Sequence, residues 1–135
     1  MNTACDLLRT SLLAAVVTAM TANVALAADA GGGKSSFAKR CGICHAVGED
    51  AEDKTGPQLN GLDGRHAGAV GDFLYSDALK KSGIVWNAAT FKRFIADPAA
   101  TVPDNKMVYA GLKNDGEIDD LWAYLSQFNA DGGKK

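Results

Sequence analysis

Cys41-Gly-Ile-Cys44-His45 places two thiols three residues apart with an imidazole directly behind the second. Four chemistries use such a set. A dithiol that cycles through a disulfide takes this spacing beside a βαβ pattern, and no strand–helix–strand alternation surrounds it. Zinc wants four ligands; after His45 the remaining histidine is His66, at a spacing that fits no zinc pattern. A plain disulfide would suit an exported chain but leaves His45 without a role. Covalent haem attachment uses all three residues: each thiol adds across a vinyl group, and the histidine is placed to bind iron. A motif this short also arises by chance, so its surroundings must decide.

Iron that only passes electrons has both axial positions filled, and a thioether opposite histidine favours the ferrous state because sulfur is a soft donor. The chain has three methionines. Met1 and Met20 belong to an N-terminal stretch read below as removed. Met107 remains, in Val102-Pro103-Asp104-Asn105-Lys106-Met107, a loop able to approach iron from the side opposite His45.

The elements that must position these residues are helical wherever the apolar pattern has a period. Phe37 and Cys41 share a face at i, i+4. Ile118, Leu121, Trp122, Leu125 and Phe128 recur at three- and four-residue steps, and Asn114 with Glu117 reads as a capping pair in front of them. A middle helix runs from Asn87 through Phe91, Phe94 and Ile95, with Pro98 as its stop. A short one spans 77–81, ended by Gly83. No segment alternates with period two for long enough to make a strand. The pattern predicts an all-α domain of four short helices. Residues 46–76 and 98–113 are long and irregular between them. Loops of that length are uncommon in a small domain unless they wrap something that is not protein. Residues 28–33 and 132–135 read as frayed ends.

The first residues are of a different kind. Residues 12–26 are mostly apolar behind a head carrying Asp6 and Arg9, and Ala25-Leu26-Ala27 precedes Ala28-Asp29. Charged head, apolar middle and small-x-small site mark a secretory signal peptide. A spanning helix wants about 20 apolar residues, and Thr18, Thr21 and Asn23 interrupt this run. The expected division is a cleaved signal peptide over 1–27 and one domain over 28–135. Cys5 would leave with the peptide. A formal net charge of −2 with no basic stripe argues against a nucleic-acid binder.

Around the Cys-x-x-Cys-His site stand Thr55-Gly56-Pro57-x-Leu59-x-Gly61-Leu62, Gly64-Arg65, Phe73-x-Tyr75-Ser76-Asp77-Ala78, Gly83-Ile84-x-Trp86, Lys106-Met107-x-Tyr109-Ala110-Gly111 and Asp120-Leu121-x-Ala123-Tyr124-Leu125. In this order and spacing, over residues 33–128, the chain resembles the class I c-type cytochromes, specifically mitochondrial cytochrome c and its bacterial periplasmic relatives. The resemblance implies a single-domain all-α fold, with short helices and long loops wrapped around one covalently bound haem c. Its first and last helices would cross where Gly33 and Phe37 meet Leu121 and Tyr124. Cys41 and Cys44 would be the thioether anchors, and His45 and Met107 the axial iron ligands. Pro57 matches the residue whose carbonyl accepts the free N–H of the ligating histidine. Arg65, Tyr75 and Trp86 match donors to the inner haem propionate, and Ser76 and Asn105 donors to the other. Tyr109 matches the aromatic that shields the haem edge. His66 falls outside the motifs and reads as solvated.

The function implied is that of a periplasmic single-electron carrier, not an enzyme. Implied partners are redox proteins: a cytochrome bc complex or periplasmic dehydrogenase as donor, and a terminal oxidase, peroxidase or photosynthetic reaction centre as acceptor. The carrier would be a monomer with no stable membrane anchor. Arg40, Lys54, Lys106 and Lys113 match basic positions around the exposed haem edge, whereas Ser35, Ala99 and Ala100 stand where relatives often carry lysine. The expected surface is a weakened basic face on an acidic body. Two further departures make the distal side more apolar: Phe94 replaces a tyrosine that hydrogen-bonds the methionine sulfur, and Leu79 replaces a polar asparagine.

Overall fold

The structure, a computed structural model, describes residues 27–135. The reading of a signal peptide therefore falls, save for Ala27, outside the described residues. Five helices follow in order: α1 Ala30–Arg40, α2 Asp77–Lys80, α3 Ala88–Ala96, α4 Pro98–Thr101 and α5 Asp115–Leu125. Among the described residues β pairing is confined to isolated bridges, His66 with Val85 and Phe128 with Lys134. The all-α expectation holds.

Helix α1 begins inside the stretch expected to fray. Gly31, Gly32 and Gly33 each cost about 1 kcal/mol relative to alanine in a helix, so propensity does not form it. Capping and packing do. The Asp29 side chain accepts from the Gly31 N–H, and its own N–H donates to Asp120 Oδ1 at 2.6 Å. A Cβ at Gly33 would overlap the Asp120 carbonyl oxygen and stand 2.8 Å from Tyr124 Cβ. Glycine here lets α1 and α5 approach backbone to backbone, with the Phe37 and Tyr124 rings 5.7 Å apart beside the contact.

Two local readings are corrected by tertiary partners. Asn114 caps α5 by accepting from the Glu117 N–H, but the Glu117 carboxylate does not turn back to complete the pair. It accepts from Ser36 Oγ and Arg40 Nε, both at 2.6 Å, because a charge-assisted bond to guanidinium outweighs one to a backbone amide. That pair cross-links α1 to α5. Pro98 is not simply a stop, so there are five helices in place of four. Asp97 ends α3 and its side chain accepts from the Ala100 N–H, while Pro98 opens α4, where a missing N–H costs nothing.

Helix α3 carries the middle of the core. An Asn87/Thr90 capping box starts it, and the Phe91 ring packs against Trp122 of α5 at 5.2 Å, tilted by 41°. Leu62 and Leu112 reach this core from the long loops, and Ile84 and Trp86 from the short connection between α2 and α3. The chain end is also ordered, contrary to expectation: Gly132 is buried, and the Lys135 N–H donates to the Gln127 carbonyl at 2.8 Å. Paired backbone groups hold it.

Candidate functional site

The Cys-x-x-Cys-His stretch continues α1 as a tight turn. Cys41 and Gly42 N–H both donate to the Phe37 carbonyl, and Cys44 and His45 N–H both donate to Cys41. This puts the two thiols a turn apart and carries His45 under them. The thiols are free. Burial pushes the Cys41 thiol up to about 11, the opposite of the lowered value that a redox dithiol needs.

His45 is held from two sides. Its Nδ1–H donates to the Pro57 carbonyl at 2.7 Å; a carbonyl can only accept, so Nδ1 carries the proton and Nε2 keeps a free lone pair. Burial, reinforced by the Arg65 and Lys54 charges and opposed by the Pro57 bond, lowers the imidazole below its ordinary range. The ring therefore stays neutral, the form that binds a metal. Gly56 presses against it: a Cβ there would stand 2.9 Å from Nε2. Gly56 N–H is tied to the Cys44 carbonyl at 2.8 Å. The motif containing Gly56 was visible in sequence, but not this close approach.

Met107 is half-buried against the core, in a loop organised by Asn105. The Asn105 Oδ1 accepts from the Met107 N–H at 2.8 Å, and its Nδ2 donates to the Pro98 and Val102 carbonyls at 2.8 and 2.7 Å. Both amide protons are thus directed at the loop itself. Leu79 packs against the same core, in which Phe94 is buried and lies edge-on to Trp86 at 5.2 Å.

Arg65, Tyr75 and Trp86 come together. Backbone pairing ties Gly64 N–H to the Trp86 carbonyl and Trp86 N–H to the Arg65 carbonyl, at 2.8 and 2.9 Å. Tyr75 and Trp86 are buried, and Arg65 and Tyr75 are close enough to act on each other electrostatically. The half-buried Arg65 guanidinium donates to the Asn60 carbonyl at 2.6 Å, and burial lowers its pKa. Among the described residues it forms no ion pair with a carboxylate. A half-buried cation whose hydrogen bonds go to carbonyls fits an acid group supplied by a cofactor. Ser76 caps α2, accepting from the Leu79 N–H at 3.1 Å, with its own proton free to donate. Tyr109 lies beside Cys41 and Arg40.

Sequence reasoning missed Asn60. It is buried, its side chain bonds both Gly48 N–H and Gly48 carbonyl at 2.9 and 2.8 Å, and its own carbonyl receives Arg65. His66 is exposed, as expected, with Val85 as its backbone neighbour.

The cytochrome c family model matches residues 30–129. The chain belongs to the cytochrome c family. Its relatives include cytochrome c2 of Rhodoplanes tepidamans, 61% identical over 107 residues, covering 79% of this chain and 99% of that protein. Cytochrome c-550 of Nitrobacter winogradskyi is 57% identical over 104 residues, 77% and 94% of the two chains. Cytochrome c2 of Blastochloris viridis is 50% identical over 118 residues, 86% and 92% of the two chains. This cytochrome carries one covalently bound haem c and is an electron carrier working with redox partners, not an enzyme. Among the described residues no helix is long and apolar enough to cross a membrane.

The residues present fit that haem: two free thiols a turn apart, an imidazole with its proton already placed, and a half-buried guanidinium that forms no ion pair among the described residues.

Proposed function

We propose that this cytochrome is exported to the periplasm, loses residues 1–27, and shuttles single electrons there, with His45 and Met107 as the residues that would hold the haem iron. The observation that carries this reading is the 2.7 Å bond from His45 Nδ1–H to the Pro57 carbonyl. It orients a neutral imidazole, leaves Nε2 as the ligating atom and raises its basicity. The haem supplies a one-electron ferric/ferrous couple.

The protein's part is to hold and insulate that couple. Cys41 and Cys44 anchor it, and Asn105 holds Met107 in place. Arg65, Tyr75 and Trp86 would hold the inner propionate, and Ser76 the other. The donors of Asn105 are engaged by Pro98 and Val102, which favours its role as a brace for the methionine loop over one as a second propionate donor. Tyr109, beside Cys41, covers the edge.

Donors and acceptors are drawn from the classes the family uses: a cytochrome bc complex or periplasmic dehydrogenase on one side, a terminal oxidase, peroxidase or photosynthetic reaction centre on the other. The basic face meets them with its cations partly engaged. Arg40 is paired with Glu117, while Lys54, Lys106 and Lys113 donate to the carbonyls of Gly42, Leu74 and Ala96. Ile43 and Leu74, 84% and 78% exposed, and the fully exposed Val108 adjoin these contacts in sequence. Exposed apolar side chains next to cations suit a partner that offers apolar contacts beside carboxylates.

The test is the spectrum of the purified ferric protein made with haem-maturation machinery. A sulfur-to-iron charge-transfer absorption in the wild type that vanishes in Met107→Ala supports the ligand set. Haem without that band would favour an open-iron haem protein, and a colourless product with two titratable thiols would overturn attachment. Export is checked by the mass of the secreted chain, expected to begin at Ala28.

A further inference from the structure

Between Cys44 and Leu62 the chain leaves the core and returns as a loop with a closed neck. Leu59 N–H donates to the Ala46 carbonyl at 2.9 Å, and the Asn60 side chain grips both polar groups of Gly48. Gly56 and Pro57, which bear on the His45 ring, lie inside this loop. The segment after α5 covers the neck. Gly61 N–H donates to the Phe128 carbonyl at 3.1 Å. A Cβ at Gly61 would stand 2.9 Å from Ala130 Cα, and one at Gly132 would overlap the Gly48 carbonyl and stand 2.7 Å from Glu49 N. Backbone meets backbone at both sides of the neck.

That covering segment is itself rigid. Asn129 N–H donates to Gly133 at 2.7 Å, Gly132 N–H to Asn129 at 3.0 Å and Lys135 N–H to Gln127 at 2.8 Å. Lys134 lies over the Phe128 ring, Phe128 packs edge-on to Tyr124 at 5.3 Å, and Lys135 Nζ is 3.4 Å from Asp63. The hairpin is therefore anchored to α5 at one end and to the far side of the neck at the other.

We propose that residues 127–135 form a clasp on the 46–61 loop and act as a positioning element for His45. By pinning Gly48 and Gly61, the clasp holds the Pro57 carbonyl against the His45 Nδ1–H. The inference rests on His45 being the iron ligand. A strong bond at Nδ1–H makes the imidazole a better donor and favours ferric iron. A loosened clasp lets the loop open locally, weakens that bond and raises the midpoint potential.

The test uses the full-length haem-loaded protein with three substitutions. Gly132→Ala puts a methyl group on the Gly48 backbone at φ +87°. Gly83→Ala carries a similar left-handed strain, at φ +69°, with nothing within 4 Å of the new methyl. Lys135→Gln removes one exposed anchor and serves as the readable variant if Gly132→Ala does not load haem. Gly132→Ala is expected to speed hydrogen exchange at the Gly56 and Leu59 amides at least about tenfold, shift the His45 Nδ1–H resonance and raise the potential. Lys135→Gln should move all three in the same direction by less, and Gly83→Ala should move none. Faster exchange at Asn129 and Gly132 with Gly56 and Leu59 unchanged would overturn the clasp. Faster loop exchange with an unmoved resonance and potential would overturn the coupling to His45. A wild-type protein whose His45 signals lack any shift from iron would overturn the ligand reading instead.

Discussion

Replacing Asn105 by alanine should loosen Met107 without touching iron or sulfur. The side chain makes three bonds within the methionine loop, to Met107 N–H and to the Pro98 and Val102 carbonyls. A net hydrogen bond is worth about 1 kcal/mol after exchange with water. If only the Met107 N–H bond breaks when the loop opens, the open state gains about 1 kcal/mol, or roughly fivefold in population. If all three break, it gains about 3 kcal/mol, or roughly 150-fold. If Met107 is the iron ligand proposed above, added imidazole binds ferric iron only where Met107 has left it, so its apparent affinity rises by the same factor. The assay is a titration of the ferric charge-transfer band with imidazole for wild type, Asn105→Ala and Thr101→Ala. Thr101 Oγ1 bonds the Arg93 carbonyl, outside the loop, at 3.0 Å, and its loss should leave imidazole affinity unchanged. An Asn105→Ala affinity within about twofold of wild type would refute the brace, since even one net bond predicts more.

Adjacent glycines in α1 should respond with opposite signs. Gly33→Ala drives a methyl into the Asp120 backbone and should cost about 2 kcal/mol, or roughly 10 °C in Tm. Gly32→Ala meets only the ends of two carboxylate side chains at 3.2 Å and should be neutral or stabilising through helix propensity; equal Tm values would sink the crossing argument. Hydrogen bonds from Arg40 and Ser36 hold the Glu117 carboxyl below its ordinary range. With its folded pKa depressed, its contribution is present above the ordinary carboxylate value and lost as pH falls through the folded one. Glu117→Gln should thus be less stable than wild type at pH 7 by a margin that closes as pH drops below about 4. A margin constant from pH 7 to 3 in denaturant titrations would contradict this. Lys106→Glu and Lys113→Glu should slow electron transfer to the native partner at low salt more than Lys34→Glu does. Because a lysine that donates to a neutral carbonyl keeps its charge, the wild-type rate should fall as salt is added. Indistinguishable rates for the three reversals would argue against docking at this face.

What the sequence determined by itself was the chemistry tied to residue type and the structure tied to local pattern. Cys41, Cys44 and His45 stand out because thioether attachment and iron binding admit few side chains at that spacing. Met107 stands out as the proposed second ligand because no other methionine lies outside the N-terminal stretch. Helices α3 and α5 follow from apolar period and capping residues a few positions apart. Tertiary structure decided everything that turns on which of two partners a group finds. Asn114 and Glu117 look like a capping pair until Arg40, remote in sequence, offers the carboxylate a stronger donor. Pro98 looks like a stop until Asp97 caps the helix that begins there. Asn105 reads as a cofactor donor from its motif, whereas the bonds that its amide makes to the Pro98 and Val102 carbonyls are set by the folded loop. The chain end reads as frayed because Gly, Gly and Lys carry no apolar period. Its order comes from backbone pairing and from contacts with Gly48 and Gly61 that require the absence of side chains. A local pattern records which face of a segment is apolar, but not which distant backbone will lie against it.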